Sequence, residues 1–236
     1  MHELAAEASR LCQELDPTSV LPPVMGAGCL ERPALALVFI NPTARNLSVR
    51  PDWDGPQLPF VGNSELFRTL SSAGVLPPNL ALTLRRARWT PELAREVYDE
   101  VRRSRIYITN VVKCTGRSGA LPNRAVIEAF TPLLRQELVA ASPKLIVAMG
   151  ILPFQALTGR TLRLQDVLAD ARRGAGIRVH ESVDGHPVAP CYFPVGRGRR
   201  SLARELLARI VAEFEASRPD RGSTSRTRRT SGRSPN

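Results

Sequence analysis

Ala34-Leu35-Ala36-Leu37-Val38-Phe39-Ile40 is an unbroken apolar run that ends abruptly at Asn41-Pro42-Thr43. A run this short, apolar at every position rather than at alternate ones, is expected of a strand covered on both faces. Residues 106–112 (IYITNVV) and 145–149 (LIVAM) repeat the pattern, and 188–193 (VAPCYF) is a shorter version of it. Between these runs the apolar period lengthens to that of a helix, over residues 64–73, 91–105, 122–141 and 200–216. In the third of these segments Val126, Ile127, Phe130, Leu133, Leu134 and Leu138 share one face. Strands alternating with helices predict an α/β fold. The expected form is a three-layer αβα sandwich around a central, mostly parallel, four-stranded sheet. Ligands of such sheets sit beyond the carboxyl ends of the strands, so the residues that follow each apolar run are the ones to read for chemistry.

Composition narrows the class. The chain of 236 residues carries a formal charge of +11, and all but Lys113 and Lys144 of its 33 basic residues are arginine. A net positive field favours a polyanionic partner, and the planar guanidinium grips phosphate as a fork. An arginine bias also arises from a GC-rich genome, so the charge alone assigns nothing. Residues 1–217 read as a single domain. Residues 218–236 hold six arginines, one aspartate and no large apolar side chain, and are expected to form a disordered basic tail, either passive or a DNA tether. Arg, Asp or Pro interrupts every run that approaches membrane-spanning length. The N-terminal stretch, with Glu3, Glu7, Arg10 and Glu14 at helical spacing, is unlike a signal peptide. A cytoplasmic monomer is therefore expected. The cysteines, at 12, 29, 114 and 191, lack the short spacing of a zinc or redox motif and are expected to be buried free thiols, with no metal bound.

Four segments stand at predicted strand ends. Asn41 closes the first apolar run, and its amide can hold one water. Phe60, in Pro59-Phe60-Val61-Gly62-Asn63, offers a flat face to a planar ring. Asn110, in the second run, offers both a donor and an acceptor. The fourth segment, Cys191-Tyr192-Phe193-Pro194-Val195-Gly196-Arg197-Gly198-Arg199-Arg200, joins glycines to a cluster of arginines. A slot for a planar ring beside a basic loop is what extrusion of a nucleobase requires. Each segment has a plainer reading: a turn starter at Asn41, core packing at Phe60, a strand-end hydrogen-bonder at Asn110, a solvated loop in the Gly-Arg run.

Their order resembles the uracil-DNA glycosylase superfamily, over about residues 34–214. LPFVGNSELFRTLSSAGV (58–75), ITNVVKC (108–114) and SPKLIVAMGILPFQALTG (142–159) are similar to successive hallmarks of the family-four type. The Asn-Pro of the first motif resembles the thymine- and mismatch-specific branch. The resemblance implies a DNA glycosylase that flips a base from double-stranded DNA and hydrolyses its N-glycosidic bond. Phe60, with Phe39 and Phe193, would bind the base, and Asn110 would read its edge. Asn41 would position the attacking water, with Asp52 or Asp54 as a proton acceptor. Lys113, Arg197, Arg199 and Arg200 would hold the DNA.

The departures are equally specific. Phe193 stands where the family-four type has a histidine, Phe39 and Thr43 stand where it has glycines, and the stretch 44–54 is longer. Of its cluster cysteines Cys114 has a counterpart but the next position is Phe130, so no iron–sulfur cluster and no other cofactor is expected. The altered pocket floor predicts a modified pyrimidine as substrate, for example a hydroxymethylated or glucosylated cytosine of phage DNA, and hence a defence role. A conventional uracil or mismatch repair enzyme and a non-catalytic DNA-binding module of the same fold are the alternatives. A general nucleotide-binding protein is disfavoured, because no P-loop and no dinucleotide glycine fingerprint is present.

Overall fold

The computed structural model describes residues 2–16, 21–116, 120–196 and 198–216. In chain order the elements are α1 (His2–Leu15), β1 (Ala27–Gly28), β2 (Leu35–Phe39), α2 (Ser64–Ser72), α3 (Pro78–Thr83), α4 (Pro91–Arg103), β3 (Ile106–Asn110), α5 (Arg124–Ala141), β4 (Leu145–Met149), α6 (Ile151–Thr158), α7 (Leu164–Arg172), β5 (His180–Glu181), β6 (Pro187–Cys191) and α8 (Arg200–Ala216), with a 3-10 turn at Leu47–Val49. One sheet has the order β1-β3-β2-β4-β6-β5. Its inner four strands are parallel, and the two-residue strands β1 and β5 pair antiparallel at its edges. The four predicted strands are thus the four parallel ones. β1 and β5 are too short to carry a hydrophobic period and could not be read.

Caps set the helix starts. The side chains of Asn63, Thr90 and Asn123 accept hydrogen bonds from the backbone N–H groups of Leu66, Leu93 and Val126, each satisfying an otherwise orphaned donor. The last of these moves the start of α5 past Pro122. α4 stops short of its predicted end because Arg105 takes a positive φ of 56° to turn the chain into β3. Helices α3, α6 and α7 are six to nine residues long, too short for periodicity to mark them.

Successive side chains on each strand point to opposite faces. Leu35, Leu37, Phe39, Ile106, Ile108, Leu145, Val147, Met149, Ala189 and Cys191 pack with α2, α3, α4, α7 and α8. Ala36, Val38, Tyr107, Ile146, Ala148 and Val188 pack with α1, α5 and α6. The result is the three-layer αβα sandwich expected from the sequence.

The cysteine expectation needs correcting. Cys12 of α1 and Cys114, just beyond β3, form a disulfide across 102 residues, with Cα atoms 5.3 Å apart. Only Cys29 and Cys191 are free. Packing of α1 on α5 brings Cys12 to the loop after β3, an adjacency that sequence spacing does not show.

Candidate functional site

Strand parity builds the site. In the parallel register Phe39 lies beside Asn110, so both side chains leave the sheet on the same face. Asn110 follows Ile106 and Ile108 there, and Phe193 follows Ala189 and Cys191. These side chains meet at the carboxyl end of the sheet. The Phe39 ring lies 4.5 Å from that of Phe60 and 6.2 Å, edge-on, from that of Phe193. Phe39 is buried, while Phe60 and Phe193 are half-buried. An aromatic floor with two partly open walls suits a flat apolar ring.

Phe60 is held there by strain. It has a φ of 58°, a left-handed conformation that costs a residue with a Cβ roughly 1–2 kcal/mol. The surrounding loop enforces it. The Asn63 N–H donates to the Phe60 carbonyl at 2.9 Å. The Asn46 amide and Ser48 hydroxyl both donate to the Leu58 carbonyl, at 2.9 and 2.8 Å. The buried Tyr98 hydroxyl donates to the Pro59 carbonyl.

Asn110 is 1% exposed, and neither its amide nitrogen nor its amide oxygen has a hydrogen-bond partner. Buried polar groups are almost always satisfied, and leaving one unpaired costs about 1–3 kcal/mol. A buried donor and acceptor, left unpartnered side by side beside an aromatic floor, match the edge of a nucleobase.

The opposite face of β3 explains how Asn110 is fixed, through groups the sequence reading missed. Tyr107, Thr109, Lys113 and Glu137 are all buried. The Lys113 ammonium donates to the Asn110 carbonyl at 2.6 Å and to the Thr109 hydroxyl at 2.7 Å, and forms an ion pair with Glu137. Glu137 also accepts from the Tyr107 hydroxyl, from Thr109 at 3.0 Å and from the Gly26 N–H at 3.2 Å. Burial pushes the Lys113 pKa down, and the Glu137 carboxylate opposes that shift. Lys113 was expected to hold DNA. It is fully buried and clamps the Asn110 backbone instead. A Glu within an amphipathic helix gives no sign of its burial in sequence.

Asn41 is half-buried, and its amide donates to the Pro42 carbonyl at 2.9 Å. The turn after it bridges to the loop after β3. The Ala44 N–H donates to the Gly116 carbonyl and the Gly116 N–H to the Pro42 carbonyl, both at 3.0 Å. A Cβ on Gly116 would lie 2.9 Å from the Asn41 amide nitrogen. Gly116, also missed, therefore leaves room for the Asn41 side chain.

The remaining expectations divide. Asp52 and Asp54 are exposed, in a loop pinned by Trp53, whose indole donates to the Pro56 carbonyl at 3.1 Å. Arg199 and Arg200 are exposed, and Arg200 pairs with Glu65 in the first turn of α2. Arg197 and the basic stretch 218–236 lie outside the described residues. A separate cavity of about 400 Å³, lined by Leu168, Arg172, Tyr192, Arg199 and Leu202, includes neither Asn41 nor Asn110.

The family-four resemblance raises the question of an iron–sulfur cluster. The donor set does not fit one. Cys12 and Cys114 are bonded to each other, and no group of three or more His, Cys, Asp or Glu side chains converges among the described residues.

Comparison with known proteins agrees with the geometry. Over 104 residues the chain is 36% identical to the type-4 uracil-DNA glycosylase of Pyrobaculum aerophilum, a match covering 42% of this chain and 53% of that enzyme. The chain thus matches about half the length of that relative. The family model of the uracil DNA glycosylase superfamily matches residues 28–215, from the first edge strand to the last turn of α8. With Phe39, Phe60 and Asn110 gathered at one sheet end inside that span, the chain belongs to the uracil DNA glycosylase superfamily.

Proposed function

We propose that this protein is a DNA glycosylase that draws a base out of double-stranded DNA into the slot of Phe39, Phe60, Phe193 and Asn110 and hydrolyses its N-glycosidic bond. The observation that carries the reading is the Asn110 amide, buried with both polar atoms unpartnered. An extruded base supplies both missing hydrogen bonds, while its ring covers the phenylalanines.

Hydrolysis passes through an oxocarbenium-like sugar. The work is to place a water below the sugar carbon and to stabilise charge on the departing base. Asn41 orients the water through its amide oxygen, its nitrogen being engaged with Pro42. Asp52 or Asp54 takes the water's proton only if the 44–54 loop closes over bound DNA. Asn110 donates to the leaving base. With Phe193 in place of a side-chain donor, one preorganised hydrogen bond is absent, a loss of about 3 kcal/mol of barrier lowering. A base that leaves more readily, or is held by further contacts, offsets this. The substrate is therefore a modified pyrimidine, of which hydroxymethylated or glucosylated cytosine of phage DNA is the concrete case, and the role is antiviral defence. The enzyme acts as a cytoplasmic monomer. Among the described residues no helix is long and apolar enough to cross a membrane.

The similarity to a type-4 uracil-DNA glycosylase favours a second reading, conventional excision of uracil. Duplexes carrying uracil, a mismatch, hydroxymethylcytosine or glucosylated hydroxymethylcytosine, treated with protein and then cleaved at abasic sites, separate the two. Cleavage of the modified duplex, slowed about a hundredfold by N41A, is expected. Rapid cleavage of plain uracil DNA contradicts the modified-base version. Binding without abasic sites in any duplex contradicts catalysis altogether.

A further inference from the structure

We propose that the connection between α3 and α4, together with Arg68 on α2, is a phosphate-binding surface that holds the DNA duplex beside the slot, at the start of α2. The arginines of α4 itself are neutralised locally: Arg95, Arg102 and Arg103 pair with Glu92, Asp99 and Glu100. Arg68, Arg85, Arg86 and Arg88 are exposed, and none has a carboxylate partner among the described residues. Like charges crowded without counter-charge repel one another. Residues 66–91 contain no Asp or Glu, so this cluster has no counter-charge in its own stretch of chain and can meet an external anion.

Position identifies that anion. Trp89, immediately after the run, donates its indole N–H to the Ser64 hydroxyl at 2.8 Å and lays its ring 5.7 Å from that of Phe67. Ser64 opens α2 just after the loop that carries Phe60. Arg68 lies one turn further on, on the same side of the helix as Ser64 and Glu65. Glu65 in turn holds Arg200. The start of α2 is therefore in contact with both the basic loop after β6, through Glu65, and the end of the 85–88 run, through Trp89. A patch of exposed guanidinium groups, unlike a closed cavity, suits the phosphates of a duplex backbone. The proposal rests on DNA as the substrate polymer and not on which base is excised.

The test is the salt dependence of binding to an undamaged duplex of about three helical turns. Each lost phosphate contact lowers the steepness of log K against log salt by about 0.9, so R85A/R86A/R88A is expected to lower it by about 2 to 3, and R68A by up to about 0.9. Single-turnover excision at saturating enzyme should change less than about twofold, since none of these residues touches the slot. The control R95A/R102A/R103A removes equal charge from already paired arginines and should leave the slope unchanged. An unchanged slope in the first variant, with wild-type melting behaviour, overturns the proposal, as does an equal drop in the control. Failure of the glycosylase reading is distinct: wild-type protein would then bind the duplex yet release no base from any substrate.

Discussion

At the scale of single residues, function here is marked by what the fold leaves unsatisfied. Asn110 pays for its readiness with an unpaired donor and acceptor. Asn110→Leu keeps the branched shape and removes both polar atoms. Chemical denaturation should show the variant more stable by about 1 kcal/mol, while base excision falls at least a hundredfold. A destabilised variant would mean that the amide has a structural partner. Behind it, Lys113→Met leaves the Glu137 carboxylate buried without its cation. The same denaturation measurement should show a loss of about 3–5 kcal/mol, largely restored by Lys113→Met combined with Glu137→Gln. Asn110 and Phe60 were legible in the sequence because strand-end position and motif order singled them out. Lys113 was misassigned and Glu137 missed. A charged residue is read as exposed by default, and only the meeting of α5 with the far face of β3 overrides that.

At the scale of elements, the site depends on two loops meeting. The turn after β2 and the loop after β3 are joined through Gly116, whose missing side chain is where the Asn41 amide lies. Gly116→Ala is expected to displace that amide. Single-turnover excision should slow by about ten- to a hundredfold, since a displacement near 1 Å costs about that much, with little change in melting temperature. Equal loss of stability and rate would point to general disruption. The disulfide joins α1 to the same loop. By chain-entropy reasoning, cross-linking residues so far apart stabilises by up to about 4.7 kcal/mol. Cys12→Ser should lose that amount in urea without reductant, and reductant should then have no further effect. The four parallel strands were legible because each is a continuous apolar run. The edge strands, α3, α6 and α7 were not, because a short element owes its structure to its neighbours more than to its own pattern.

At the scale of the molecule, one face of the sandwich gathers the chemistry at a single sheet end. The charge of +11 indicated a polyanion without locating it, and the structure divides the arginines into those matched by carboxylates and those left bare. The sequence shows that residues 66–91 hold no carboxylate, but not the pairs that only the fold makes, such as Arg172 with Glu205 and Arg200 with Glu65. Superfamily membership, the aromatic slot and the unpartnered Asn110 amide converge on one claim: an extruded nucleobase is bound there and released from its sugar. The most direct measurement is mass spectrometry of free bases released from DNAs containing uracil, hydroxymethylcytosine or glucosylated hydroxymethylcytosine, by wild-type protein and by the Asn110→Leu variant. Release of the modified base by the wild type, abolished in the variant, is the expected result. No free base from any of these DNAs, or equal release by both proteins, would contradict it.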